Sequence, residues 1–172
     1  MNIKELRDKN KPVVKMRIVA VDYSMATKSM DIFFSGCDAE PRCTGCHNPE
    51  AWDFNVGKDW KQWIFQINDN VKKFGAMFDK FFLLGGEPLA QDPAEFAKIV
   101  SALKEYGKEL WLFTHYELDE IPDDTKAQFN YIKTGRYLPE LSTDDNISYG
   151  VRLATSNQKV HKRGVDYLVE KK

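Results

Sequence analysis

Cys37, Cys43 and Cys46 fall within ten residues of one another, and they are all the cysteines of the chain. An odd number of thiols so close together does not suit a disulfide framework and favours a set of metal ligands. Thiolates are soft ligands that suit zinc or iron–sulfur clusters. Three thiolates on one loop can hold three corners of a 4Fe–4S cluster and leave its fourth iron open to a substrate or cofactor.

The cysteine pattern leaves other interpretations open. With His47 the thiols form a Cys₃His set for zinc, although neighbours such as Cys46 and His47 rarely bind one metal. The run from Cys43 to His47 (CTGCH) matches the attachment motif for c-type haem, which is normally formed outside the cytoplasm. A redox dithiol of Cys43 and Cys46 leaves Cys37 unexplained.

A second group of residues with chemical potential follows the apolar run at residues 80–84, which predicts a buried strand. Gly85 and Gly86 let the backbone approach a ligand closely, and the carboxylate of Glu87 can accept hydrogen bonds from an ammonium group. The alternative is a tight turn from a strand into a helix, in which the glycines serve geometry and Glu87 lies in solvent.

Strand-like and helix-like segments alternate along the chain, which predicts an α/β fold with a mostly parallel sheet and crossover helices. Ligands of such sheets sit beyond the carboxyl ends of the strands, so we expect the cysteines, Gly85–Glu87 and Thr114 at one rim. We expect one domain over residues 1–172, with residues 1–12 as an optional peripheral extension. The predicted strands cover residues 13–21, 30–34, 80–84, 110–114 and 131–134, and the predicted helices cover 59–74, 92–107 and 125–128.

The composition argues against several classes of partner. The net charge of −1 provides no field that would attract nucleic acid or an anionic membrane. No segment is apolar for long enough to span a bilayer, and the first fifteen residues are too polar for a signal peptide. We therefore expect a cytoplasmic protein, in a compartment where thiols stay reduced, with neither nucleic acid nor membrane as a partner.

Together these motifs resemble the radical S-adenosylmethionine (SAM) superfamily, whose members carry a three-cysteine loop and a later Gly-Gly-Glu turn. The closer resemblance is to the activating proteins of anaerobic (class III) ribonucleotide reductases, and it runs from about Arg17 to His161. The segments that carry it are GCHNPEAWDF at 45–54, GGEPL at 85–89, WLFTHY at 111–116 and TSNQ at 155–158.

The chain departs from the family pattern at several positions. Five residues separate Cys37 from Cys43, whereas the family usually has three. His47 stands in place of an aromatic residue, and His115 in place of a glycine. Residues 24–29 (SMATKS) replace a glycine-rich stretch. These changes bear on the shape of the adenosine pocket and leave room for a different protein partner.

The resemblance implies an incomplete (β/α) barrel of about five or six strands. It implies that Cys37, Cys43 and Cys46 bind a 4Fe–4S cluster whose open iron is chelated by SAM. It also implies contacts to SAM. The methionine ammonium would be received by Gly85, Gly86 and Glu87, and the adenine would be framed by Gly45 and His47. The ribose or carboxylate would be bound by Thr114 and Asn157.

The implied activity is that of an activating oxidoreductase. A flavodoxin or ferredoxin supplies one electron, and SAM is cleaved to methionine and a 5′-deoxyadenosyl radical. This radical abstracts hydrogen from a glycine on the large subunit of an anaerobic ribonucleotide reductase, which becomes a glycyl radical enzyme. The alternatives are a short radical SAM enzyme acting on a small molecule, similar to 7-carboxy-7-deazaguanine synthase, and a non-catalytic zinc-binding module.

Overall fold

The computed structural model describes residues 15–169, and a mixed sheet runs through them. The sheet has seven strands in the order β3-β1-β2-β4-β5-β6-β9, and β7 and β8 form a separate hairpin. The strands are β1 (Arg17–Ser24), β2 (Ser29–Phe34), β3 (Lys58–Asp59), β4 (Lys80–Gly85), β5 (Glu109–Phe113), β6 (Tyr131–Thr134), β7 (Ile147–Ser148), β8 (Val151–Arg152) and β9 (Lys159–Lys162). The α-helices of the described part are α1 (Trp60–Phe74), α2 (Pro93–Lys104) and α3 (Asp123–Lys126).

The four central strands, β2, β4, β5 and β6, pair in parallel, whereas β1, β3 and β9 pair antiparallel at the margins. The predicted α/β class is confirmed, and the parallel arrangement holds for the centre of the sheet. Within the described residues the sheet is open, with β3 and β9 as its edges. It has seven strands, whereas the expected number is about five or six. Hydrophobic periodicity does not reveal the two edge strands, because β3 has only two residues and β9 (KVHK) has a single apolar one.

The element boundaries follow from local capping. The helix expected from residue 59 begins at Trp60, because the Asp59 side chain accepts a hydrogen bond from the Lys61 N–H at 3.0 Å and so caps α1. Asp92 caps α2 in the same way. The strand expected over residues 13–21 is Arg17–Ser24, and residues 13 and 14 lie outside the described part of the chain.

The main core lies between the sheet and helices α1 and α2. Residues of β4 alternate between the two faces of the sheet, so Phe81 and Leu83 join this core while Phe82 faces the other way. The second face carries a smaller cluster of Phe82, Trp111, Val151, Leu153 and Val160. Because both faces of β4 and β5 are packed, the residues that follow these strands are held in fixed positions.

Asp31 is a partly buried carboxyl in β2, opposite Asp22 of β1. Burial raises the pKa of Asp31 to about 6, and the charge of Asp22 adds to this effect. The Ser29 hydroxyl, which donates a hydrogen bond to Asp31, opposes it. Since the folded pKa lies above the unfolded value, Asp31 favours the fold at low pH, and this contribution is lost as the pH rises through about 6.

We expect Asp31→Asn to be more stable than the wild type above pH 7, because asparagine removes the cost of a buried charge. The expected gain is about 1 kcal/mol, which allows for solvent screening of a partly exposed group. The gain should shrink below about pH 5, where Asp31 is protonated in the fold. Urea denaturation between pH 4.5 and 8 measures it, with the exposed Asp145→Asn as control. A difference in free energy of unfolding between Asp31→Asn and the wild type that stays constant with pH would contradict the raised pKa of Asp31.

Candidate functional site

The cysteine loop (residues 37–46) is separated from the end of β2 by two residues, and the segment that follows the loop holds its base. The Gly36 N–H donates to the Ala51 carbonyl at 2.8 Å, and the Cys37 N–H donates to the Trp52 carbonyl at 3.2 Å. Gly36 has a φ of +97°, and a Cβ atom there would lie 2.1 Å from the ring of Phe54. Glycine is therefore required at this point, and the Trp-Asp-Phe segment packs across it.

The glycine turn after β4 packs directly against the base of the cysteine loop. The Gly86 N–H donates to the Phe34 carbonyl at 2.9 Å, and the Glu87 N–H donates to the Gly36 carbonyl at 2.7 Å. A Cβ atom on Gly86 would lie 2.2 Å from the Gly36 oxygen, and Gly85 has a φ of +112°. The two motifs thus meet as expected, and backbone packing alone already requires both glycines.

The Glu87 side chain is fully buried rather than solvated, so the surface-turn interpretation is wrong for this residue. One carboxylate oxygen accepts from the Leu89 N–H at 2.9 Å. The other accepts from the Thr114 hydroxyl at 3.0 Å and from the His115 N–H at 2.9 Å. Burial raises the pKa of Glu87, although the charge of His115 and the hydrogen bonds from the His115 and Leu89 N–H groups oppose it. Binding of an ammonium group at Gly85, Gly86 and Glu87 stays a prediction.

The residues after β5 connect Glu87 to the cysteine loop. The His115 Nε2 atom lies 3.0 Å from one carboxylate oxygen of Asp38, and the Tyr116 hydroxyl donates to the other. Burial raises the pKa of Asp38, but these two hydrogen bonds outweigh it and hold the pKa below its usual range. Burial lowers the pKa of His115, but Asp38 and Glu87 outweigh burial and raise it. The network joins the ends of β4 and β5 to the start of the loop.

The three thiols are free and partly exposed. The Cys46 N–H donates to the Cys43 carbonyl at 3.2 Å, and the Asn48 N–H points to the Cys46 sulfur at 3.4 Å. Burial raises the pKa of Cys37 to about 12, and nearby negative groups, Glu87 first among them, add to this effect. A metal that binds Cys37 must therefore displace a tightly held proton, which makes its binding pH-dependent.

The sulfur positions bear on whether the three thiols could share a single metal ion. A tetrahedral zinc ion, with zinc–sulfur bonds of about 2.3 Å, holds its thiolates about 4 Å apart. Among residues 15–169, one set of three candidate ligand atoms lies within 4.8 Å of one another, and it is Cys37, Asp38 and His115. The three sulfurs form no such set, so they do not surround a single ion in this structure. Three soft thiolates on one loop are the donor set of a 4Fe–4S cluster with one open iron, and in this respect the residues present fit such a cluster.

Gly45 and His47, expected to frame an adenine, lie on the exposed side of the cysteine loop. The His47 and Tyr137 rings have centroids 4.9 Å apart. A Cβ atom on Gly45 would lie 3.4 Å from the Tyr137 ring. Tyr137 is not among the residues that the motifs single out, and its position shortly after β6 is the signal that could have found it.

Asn157, expected at the ribose or carboxylate of SAM, braces the chain after β6 instead of standing free. Its side-chain N–H donates to the Arg136 carbonyl at 2.9 Å, and its oxygen accepts from the Thr155 hydroxyl at 2.6 Å. Arg136 in turn donates to the Glu40 carbonyl at 3.4 Å and to the Pro41 carbonyl. Asn157 is therefore linked to the cysteine loop through Arg136. Its role toward SAM stays a prediction.

Lys133 is a partly buried cation near the site that the motifs did not indicate. Its ammonium group donates to the Gly135 carbonyl at 2.9 Å. Burial lowers the pKa of Lys133 to about 8, whereas the charges of Glu87 and Cys43 raise it. A lysine inside a strand that pairs with an apolar neighbour, as Lys133 pairs with Phe113, is the sequence signal for such a residue.

Comparison with known proteins agrees with this geometry. The family model described as a 4Fe-4S single cluster domain matches residues 27–161. The anaerobic ribonucleoside-triphosphate reductase-activating protein of Escherichia coli K12 is 32% identical over 145 residues, which cover 76% of this chain and 85% of that protein. The chain belongs to this family. The protein of the same name from Haemophilus influenzae is 29% identical over 143 residues, with the same coverage of both chains.

Family membership confirms the resemblance found in the motifs. The same name belongs to the Vibrio cholerae relative, which is 26% identical over 145 residues. The match to a 4Fe-4S single cluster domain spans the cysteine loop, the glycine turn and most of the sheet. The helices within residues 15–169 include none with the length and apolar character needed to cross a membrane.

Proposed function

We propose that this chain activates an anaerobic ribonucleoside-triphosphate reductase by generating a glycyl radical on it through radical SAM chemistry. The observation that carries the proposal is the direct contact between two motifs that lie about fifty residues apart in the sequence. The Gly36 carbonyl, next to Cys37, accepts a hydrogen bond from Glu87 at 2.7 Å. The names of the relatives supply the reductase as the target.

Cys37, Cys43 and Cys46 are the residues proposed to hold the 4Fe–4S cluster. When bound, the cluster supplies the open iron and the electron with which SAM is cleaved to methionine and a 5′-deoxyadenosyl radical, the species that takes a hydrogen atom from a glycine of the reductase. The protein's own contribution is to hold the three thiols in position. The base of the loop is fixed by Gly36 and Phe54, and the thiols are held on the partly exposed side.

The proposed SAM site lies beside the loop, at the carboxyl ends of β4, β5 and β6. Gly85, Gly86 and Glu87 are proposed at the methionine ammonium. Because the Glu87 carboxylate already accepts three hydrogen bonds, we assign most of this contact to main-chain oxygens of the turn. The remaining proposed contacts are the adenine with Gly45 and His47 and the ribose or carboxylate with Thr114 and Asn157.

The open sheet is an argument for a large substrate. Its edges, β3 and β9, do not pair with each other, which suits an incomplete barrel that admits a protein loop. We propose a flavodoxin or ferredoxin as the electron donor and the cytoplasm as the compartment, since thiols stay reduced there. The named relatives favour a protein substrate over the small-molecule alternative, and the match to a 4Fe-4S single cluster domain favours a cluster over a zinc module.

Nucleotide reduction tests the proposal. The reconstituted chain, SAM, a reductant and a candidate reductase are mixed without oxygen, the excess SAM is removed, and a ribonucleoside triphosphate is added. We expect deoxyribonucleotide only when both the chain and SAM were present in the first step. A reductase that stays inactive while 5′-deoxyadenosine accumulates would remove this partner and leave SAM cleavage standing. A colourless chain with one zinc ion would remove both this partner and SAM cleavage from the proposal.

A further inference from the structure

Two departures from the family pattern meet in the structure. The gap between Cys37 and Cys43 is two residues longer than usual, and His115 stands where the family has a glycine. The first residue of the longer gap is Asp38, and its carboxylate lies 3.0 Å from His115 Nε2. A glycine at position 115 would have no side chain to make this contact, so the contact between the longer loop and the end of β5 depends on the histidine.

We propose that Asp38 and His115, together with Tyr116, form a clamp that positions the longer cysteine loop for cluster binding. The inference rests on the proposed role of the cysteines as cluster ligands. Asp38 and His115 are positioning residues here, because they act through the neighbouring Cys37. The clamp has two contacts, since the Tyr116 hydroxyl donates to the second oxygen of Asp38 at 2.5 Å.

The need for a clamp follows from the length of the loop. Each added residue brings backbone freedom that must be lost when the loop is ordered. Hydrogen bonds to an ionised carboxylate are stronger than neutral ones, so a paired Asp38 can oppose that loss. Asp38 also follows Cys37 directly, and fixing its carboxylate restricts the directions that the Cys37 sulfur can take.

The far side of the clamp is itself fixed. The His115 N–H donates to the buried Glu87 carboxylate at 2.9 Å, and its ring nitrogen lies 3.6 Å from the same oxygen. At the other end of the added residues, Arg136 donates to the carbonyls of Glu40 and Pro41. The longer gap is therefore tied to the scaffold at both ends, by side chains from the segments that follow β5 and β6.

The clamp competes with a second interpretation of the same atoms. The ligand atoms of Cys37, Asp38 and His115 lie within 4.8 Å of one another, close enough for one metal ion. A mononuclear site would use Asp38 and His115 as ligands and would not need Cys43. The two interpretations differ in what the chain binds before reconstitution, and zinc is the probe that separates them.

The test uses Asp38→Ala, His115→Gly and the double variant in the full chain, with the exposed Asp145→Ala as control. Cys37 alkylation is followed by peptide mass spectrometry before reconstitution, and iron loss to a chelator afterwards. We expect Asp38→Ala, which removes both contacts, to label Cys37 and to lose iron about tenfold faster. His115→Gly leaves the Tyr116 contact and should have a smaller effect, and the double variant should be no worse than Asp38→Ala alone. Wild-type rates, or effects that multiply in the double variant, would overturn the clamp.

Shortening the loop provides a rescue. When Glu40 and Pro41 are deleted, the gap has the family length, and His115→Gly should then have no effect on iron retention. An undiminished His115→Gly effect in the shortened loop would overturn the proposal. So would one zinc ion per chain that Asp38→Ala removes and Cys43→Ser retains. A wild-type chain that takes up no iron would defeat the proposed function, while the labelling rates would still test the clamp.

Discussion

Gly86→Ala is expected to lower the free energy of unfolding by at least about 4 kcal/mol, a loss that a domain of ordinary stability barely survives. The added Cβ atom would lie 2.2 Å from the Gly36 oxygen and 2.7 Å from the Ala51 oxygen. Both are backbone atoms, so no side-chain rotation relieves the overlap. The turn and the base of the cysteine loop must separate, and the 2.7 Å hydrogen bond between Glu87 and Gly36 is lost with them.

Denaturation of the cluster-free chain in urea, without oxygen and with reductant, measures this effect. Gly75→Ala is the matched control, because its Cβ atom would lie 3.6 Å from a Val71 methyl group and its φ of −58° suits alanine. The control should stay within about 1 kcal/mol of the wild type. If Gly86→Ala unfolds within 1 kcal/mol of the wild type, the close packing described for the turn is wrong.

Cys43→Ser should abolish cluster binding. A hydroxyl is a hard ligand that replaces a soft thiolate poorly, and two remaining thiolates leave two irons of the cluster without protein ligands. We expect iron to fall from about four atoms per chain to less than about one, with loss of the brown absorbance near ~400 nm. Formation of 5′-deoxyadenosine should fall to background, because the proposed SAM cleavage needs an electron that the cluster supplies.

Iron analysis and absorbance after anaerobic reconstitution measure this loss. Thr44→Ala is the matched control, because Thr44 is the exposed neighbour of Cys43 in the same loop and is not a proposed ligand. It should keep the iron content and colour of the wild type. Full iron content in Cys43→Ser, or a colourless wild type after reconstitution, would show that the three thiols do not hold the cluster together.

The sequence was sufficient for the central part of the fold. Strand β6 has the predicted bounds, and the capping residues Asp59 and Asp92 mark where α1 and α2 begin. The apolar run of β4 reveals a central strand because burial on both faces requires it. The edge strands β3 and β9 escape prediction, since β3 has two polar residues and β9 has one apolar residue, and neither carries a hydrophobic pattern.

The position of the cysteine loop against the glycine turn was predictable from the sequence, and the contacts that connect them were less so. The cysteines and the Gly-Gly-Glu turn have recognisable residue types and spacing. The burial of Glu87 has no such signal, because it depends on donors from Leu89, Thr114 and His115. These contacts come together only when β4 and β5 are aligned in the sheet, and no local pattern encodes that alignment. The same holds for the pairing of Asp38 with His115.

Electron paramagnetic resonance of the reductase tests the central claim most directly. The reconstituted chain, reductant and SAM are incubated without oxygen with an anaerobic ribonucleotide reductase, and the spectrum is recorded after freezing. The account predicts a glycyl doublet that requires SAM and the wild-type chain and is absent with Cys43→Ser. A doublet that forms equally well with Cys43→Ser, or none at all while a known activating protein produces one on the same reductase, would contradict it.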